Sequence, residues 1–225
     1  MGCRTTCMVL MGLRHKYLER LLDLLFPPGS RCVFCTITEG GEICYNCRQH
    51  FFPLRPGQAV AHVSEVMALA LYEGVVRDAL HRLKYSRTPD LARHMGILSH
   101  QLWAQDIGRY DFVSSVPMHR ERYIQRGYNQ AELVAREIAR RADLPYASYL
   151  TRERDTPPQH SLSHYGRRQN VAGAFSQACP IPPGTRILLV DDILTTGSTV
   201  ASCAGVLKRG GAREVGVLVI AHAEL

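Results

Sequence analysis

The chain has no apolar run approaching the roughly 20 residues that a membrane-spanning helix needs, so its 225 residues are not expected to contain one. Tryptophan occurs once, as Trp103, and aromatic residues make up 8% of the chain. No run of aromatics is therefore visible on which successive nucleobases would stack. Asp and Glu are outnumbered 20 to 27 by Lys and Arg, for a formal net charge of +7, which suits anionic partners without naming one. From Pro117 to Arg168 lysine is absent altogether, and ten arginines stand against six acidic residues. Arginine is the cation whose planar fork meets phosphate oxygens two at a time. The opening MGCRTTCMVLMGL has one arginine and an apolar stretch too short for a signal peptide. A cytoplasmic protein is expected, with its start at Met1 or Met11.

The most informative stretch is Arg186 to Thr199, RILLVDDILTTGST. Ile187 to Val190 form a short, uniformly apolar run, the pattern of a parallel strand covered on both faces. Asp191 and Asp192 follow where such a strand leaves the sheet, the edge at which open α/β sheets bind ligands. Thr195, Thr196, Gly197, Ser198 and Thr199 then precede a helical pattern in which Val200, Cys203, Ala204 and Leu207 share one face, ended by Gly210 and Gly211. Free N–H groups and the helix dipole at that turn suit a phosphate, with hydroxyls as further donors. The two carboxylates accept hydrogen bonds from vicinal sugar hydroxyls and attract divalent metal. A ribose 5-phosphate satisfies both halves. A plain strand, acidic turn and threonine N-cap is the alternative for each piece taken alone.

Cys32-Val33-Phe34-Cys35 and Cys44-Tyr45-Asn46-Cys47 are two C-x-x-C pairs with Gly40-Gly41 in the turn between them. Four thiolates on two tight knuckles close tetrahedrally on Zn²⁺, so Cys32, Cys35, Cys44 and Cys47 are assigned to a structural zinc with no open position. So small a unit takes its folding energy from the metal. His50 and His62 are read as surface residues. The expected organisation is an extension over residues 1–29 with a short amphipathic helix at Leu18–Phe26, a zinc ribbon over 30–58, and an α/β domain over 59–225.

Within that domain, strands are expected at Val66–Tyr72, Phe112–Val116, Ala147–Leu150 and Val215–Ile220. Helices are expected through Val76–Lys84, after Pro89, and after Asn129 with Ala131, Val134 and Ile138 inward. Alternating strands and helices argue for a mostly parallel sheet with helices on both faces. The loop after Phe112–Val116 carries Arg120, Arg122 and Arg126 with Gly127 and Tyr128, a second anion loop at the same edge and suited to pyrophosphate. Thr151 to Asn170 has no usable periodicity. A loop of that length in a compact domain is expected to be a lid, with Gln159, Arg167, Arg168 and Asn170 as candidates to close over a ligand.

Leu188 to Thr199 resembles the phosphoribosyl pyrophosphate (PRPP) loop of type I phosphoribosyltransferases. With the four-cysteine knuckle, the Tyr72–Gly74 to Lys84-Tyr85 segment, Arg126 to Gln130, Gln159 to Asn170 and Ala174-Phe175, the chain from about Leu24 onward resembles the ComF family. These are proteins that join a zinc ribbon to a phosphoribosyltransferase domain and are associated with DNA uptake in competence. The resemblance implies that Asp191 and Asp192 hold the ribose hydroxyls and serve catalysis, that Thr195 to Thr199 hold the 5-phosphate, and that Arg126, Gly127 and Tyr128 meet the pyrophosphate, with Mg²⁺ bridging ligand oxygens. It implies a Mg²⁺-dependent phosphoribosyl transfer to an unidentified acceptor. The other reading is a PRPP sensor or scaffold whose partner is single-stranded DNA or a DNA-translocating helicase. No residue is an obvious nucleophile or reader of an acceptor base.

Overall fold

Uniformly apolar segments need cover on two faces, and a parallel sheet between helices provides it. The structure, a computed structural model, describes residues 31–37, 42–86, 88–153 and 173–224. The Leu18–Phe26 helix and the lid candidates Gln159, Arg167, Arg168 and Asn170 lie outside the described residues. In chain order the elements are α1 (Tyr45–Arg48), β1 (Glu65–Leu71), α2 (Gly74–Tyr85), α3 (Asp90–Ile107), β2 (Phe112–Ser115) and α4 (Arg120–Arg126). There follow α5 (Gln130–Ala142), β3 (Leu150–Arg152), β4 (Phe175–Gln177), β5 (Arg186–Leu194), α6 (Ser198–Arg209) and β6 (Glu214–His222).

The chain divides into two compact units between Arg48 and Gln49, ahead of the expected division after residue 58. The reason is backbone pairing: Phe52 N–H donates to the Leu69 carbonyl at 2.8 Å, and Leu54 and Ala68 exchange bonds of 3.0 and 2.8 Å. Residues that read as the tail of the cysteine unit thus occupy the outer edge of β1.

The larger unit is built on a four-stranded sheet in the order β1-β6-β5-β2, every pair parallel. α6 covers one face, its Val200, Cys203, Ala204 and Leu207 in one apolar cluster with Ile187, Leu189, Val215, Val217 and Val219. α3 and α5 pack on each other and against the other face. Trp103 is core as expected, and its indole N–H donates to the Ala68 carbonyl at 3.2 Å.

Two expectations are corrected. β5 does not stop at Val190 but runs on through the aspartates, Asp191 opposite Val219 and Leu194 opposite His222. Its neighbour β6 is equally long, and its backbone groups require partners along that length. The expected strand Ala147–Leu150 is two pieces. Ala147 N–H donates to the Val113 carbonyl at 2.9 Å, lengthening the sheet beyond β2. Leu150–Arg152 pairs instead antiparallel with Phe175–Gln177.

Gly216, inside β6, has no room for a side chain, because a Cβ there would lie 1.8 Å from Tyr110 Oη and 2.4 Å from its Cζ. Tyr110 is buried and donates to Glu65 Oε1 at 2.8 Å. Gly216→Ala is expected to lower stability by about 2 kcal/mol, read from a urea midpoint. The same methyl group should cost far less in a Tyr110→Ala background.

Candidate functional site

The cysteine unit forms from local turns. Cys32 and Cys35 flank a turn closed by Thr36 N–H on the Cys32 carbonyl at 2.8 Å, and Cys32 N–H donates to the Ile37 carbonyl at 2.9 Å. α1 turns Cys47 toward the first pair. The four sulfurs lie within 4.8 Å of one another, and Cys35 Sγ is 3.8 Å from Cys44 Sγ. A tetrahedron with Zn–S bonds of about 2.3 Å has S–S edges of about 3.8 Å, so the four residues fit zinc. Cys44 N–H donates to Cys32 Sγ at 3.4 Å, as backbone amides do around thiolate metal ligands. Burial opposes ionisation of Cys32, yet the N–H groups of Cys35, Cys44 and Phe34 bring its thiol down to about 6. At Cys47, burial and the neighbouring sulfurs push the thiol far up. A divalent cation bound to all four sulfurs removes that conflict.

The second site lies at the carboxyl edge of the sheet. Gly197 is left-handed, φ 74°, and starts α6 with no side-chain cap, so among the described residues no side chain is seen to cap the first N–H groups of the helix. Thr196 Oγ1 and Ser198 Oγ lie 2.9 Å apart beside them. The glycine has a packing reason as well, since a Cβ at 197 would sit 3.0 Å from Val60 Cγ2.

The aspartate pair divides, because successive residues of a strand point to opposite faces. Asp191 lies in the fields of Lys84 on α2 and then Arg152 on β3, with Cys203 of α6 in its own field, and its Oδ1 accepts the Asp192 N–H at 2.9 Å. Burial, then the charge of Asp192, pushes the Asp191 carboxyl up to about 7. Asp192 turns toward α2 and α5. Its Oδ2 takes Lys84 Nζ at 3.0 Å and Gln130 Nε2 at 2.6 Å. Burial raises Asp192, but Lys84 and the Gln130 bond outweigh it and hold the carboxyl below the usual range.

Gln130 in turn accepts from Arg126 Nη1 at 2.6 Å, and the guanidinium stands 5.7 Å from the centre of the Tyr85 ring. Gly127, φ 88°, ends α4 in the left-handed region with open space where a Cβ would be. Asn129 caps α5, its Oδ1 accepting Ala131 N–H at 3.1 Å while Nδ2 donates to the Val116 carbonyl at 2.9 Å. Tyr128 does not turn its hydroxyl to the aspartates. It donates to the Leu83 carbonyl at 2.5 Å and thereby ties down the end of α2 beside Lys84.

The expected residues Asp191, Asp192, Thr195 to Thr199 and Arg126 thus share one sheet edge, Arg126 reaching Asp192 through Gln130. Sequence reasoning missed Lys84 and the bond from Gln130. The Lys84-Tyr85 pair ends a segment that carries the family resemblance, but the resemblance gives Lys84 no role there: it stands in the last turn of an amphipathic helix, where a lysine ordinarily faces water.

A family model described as phosphoribosyl transferase domain matches residues 129–224. The chain is 36% identical over 158 residues to DNA utilization protein YhgH of Escherichia coli O157:H7, covering 68% of this chain and 69% of that protein. It is 35% identical over 196 residues to the protein of the same name in Salmonella typhi, covering 84% and 82%. With Competence protein F of Haemophilus influenzae it shares 35% identity over 147 residues, 64% of this chain and 60% of that one.

Metal analysis is expected to find one zinc per chain, and Cys32→Ser or Cys47→Ser to lose it together with the fold of the cysteine unit, followed through the amide resonances of residues 31–48. Wild-type protein in which those resonances stay unchanged on full removal of zinc would contradict a structural metal.

Proposed function

The chain belongs to the ComF family, whose members carry a phosphoribosyl transferase domain, and from that premise we propose that it binds PRPP with Mg²⁺ and transfers the phosphoribosyl group to an acceptor. The observation that carries this reading is the uncapped N-terminus of α6 immediately after an acidic pair on the same sheet edge. The 5-phosphate takes the N–H groups and hydroxyls of Thr195 to Thr199. The ribose hydroxyls donate to Asp191 and Asp192, and the pyrophosphate faces Arg126. Mg²⁺, when bound with the ligand, would supply further positive charge to the leaving group. As the bond from the anomeric carbon to pyrophosphate breaks, positive charge grows on the sugar beside the two carboxylates while negative charge grows beside Arg126, so both ends meet a fixed opposite charge. In this reading the side chains at this edge bind and stabilise the ligand, and the entering group belongs to a second substrate.

Relatives named for competence and DNA utilization favour a second role for the same molecule, in which PRPP is sensed and a DNA strand or a DNA-translocating helicase is the partner. α4 supports it: Arg120 is exposed, and Tyr123 and Ile124 are 48% and 67% exposed. Replacing Arg120, Arg122, Arg167 and Arg168 by alanine is expected to flatten the salt dependence of any single-strand binding, by about 0.7 in log–log slope for each phosphate no longer neutralised.

Calorimetric titration of PRPP with Mg²⁺ into zinc-replete protein tests the first role. Wild type is expected to bind, and Asp191→Asn with Asp192→Asn to weaken binding at least a hundredfold, about 2.7 kcal/mol. Unchanged affinity in the double variant would remove the aspartates from the pocket.

A further inference from the structure

Lys84 is the one cation in direct contact with an aspartate of the pair among the described residues. It arrives from α2, an element that contributes to neither anion loop. Its side chain is 22% exposed and that of Asp192 14%, so each charge has given up much of its hydration and is held by the other. An ammonium has three N–H donors, and Asp192 is the acceptor that the described residues provide.

The direct contacts are asymmetric. Asp191 turns toward α6 and its Cys203, whereas Lys84 bonds to Asp192 on the side of Gln130 and Arg126, its field reaching Asp191 as well. Lys84 and Arg126 therefore approach Gln130 and Asp192 from two different elements, α2 and α4, and enclose one region of the sheet edge between two positive charges. Tyr128 reinforces this by fixing the carbonyl of Leu83, the residue before Lys84. Arg126 spends one N–H on Gln130 and is a single charge, while a pyrophosphate carries several. With the ammonium the region presents a second side-chain cation to that group, from an element other than the one that carries Arg126.

We propose that Lys84 is the second cation of the pyrophosphate subsite, held by Asp192 in the free protein and shared with the pyrophosphate oxygens once ligand binds. The inference rests on the PRPP reading of the site and assigns it a residue outside both loops. The pairing keeps Asp192 ionised and aimed while the site is free. When the ribose hydroxyls reach that carboxylate, the two remaining N–H groups of Lys84 turn to the leaving group, where negative charge grows as the bond breaks. Lys84 thus acts more strongly on the departing pyrophosphate than on the ribose phosphate.

The test compares three probes, PRPP with Mg²⁺, pyrophosphate with Mg²⁺, and ribose 5-phosphate, each titrated into wild type, Lys84→Met and Lys84→Gln, with thermal melts to establish folding. Glutamine keeps a donor for Asp192 and lacks the charge. Both variants are expected to lose about thirtyfold in affinity for PRPP and pyrophosphate, with ribose 5-phosphate changed less than about threefold. If Lys84→Gln binds PRPP like wild type, Lys84 only positions Asp192 and the proposal is overturned. Equal losses for PRPP and ribose 5-phosphate in both variants overturn it as well, as would unchanged binding throughout. Should Lys84→Met fail to fold, the glutamine variant decides alone. Wild type that binds neither PRPP nor ribose 5-phosphate defeats the PRPP reading itself, a result distinct from these.

Discussion

Two adjacent carboxylates built into an inner strand of a parallel sheet cannot both be satisfied by water, and most of what surrounds the carboxyl edge of this protein answers that constraint. Asp192 is held by a lysine from α2 and a glutamine from α5. The glutamine is held by an arginine from α4. Tyr128 fastens α2 in place, and Asn129 fastens the start of α5 to the end of β2. Among the described residues Asp191 keeps the adjacent N–H and the more distant fields of Lys84 and Arg152, with its carboxyl pushed up to about 7. An aspartate so placed favours a ligand that brings hydroxyl donors or a cation.

The alternation of side chains along β5 separates the site into two halves. One face leads through Thr195 to Thr199 into the start of α6, where N–H groups and hydroxyls suit a single phosphate. The other carries Asp192 with Lys84 and, through Gln130, Arg126, where formal charge suits a more highly charged group. A ligand that bears a sugar between a phosphate and a pyrophosphate has the matching order of parts. In the four-cysteine unit the sulfurs lie close enough together to supply all four ligands of a tetrahedral metal.

Much of this was legible in the residues because it rests on local rules. Uniform apolar runs placed β1, β2, β5 and β6 to within a few residues, and the i, i+3, i+4 pattern put Val200, Cys203, Ala204 and Leu207 on the buried face of α6. The C-x-x-C pairs announced the cysteine cluster. What escaped depends on contacts distant in sequence. β5 continues through two aspartates because β6 needs partners there, which no propensity of Asp would suggest. Lys84 meets Asp192 across more than a hundred positions, through the packing of α2 over the sheet edge. Tyr128 follows α4 in the loop expected to meet an anion, yet its hydroxyl bonds to α2. The antiparallel pair β3–β4 is three residues on each side, too short for a period to be read.

The most direct test of the account is a crystal structure of the zinc-loaded protein with PRPP and Mg²⁺. It should hold the 5-phosphate on the N–H groups of Thr196 to Thr199, the ribose hydroxyls on Asp191 and Asp192, and the pyrophosphate within reach of both Arg126 and Lys84 Nζ. A ligand bound elsewhere, or one bound with Lys84 still committed to Asp192 alone and the pyrophosphate turned away from it, would contradict the division of the site into a phosphate half and a cation half.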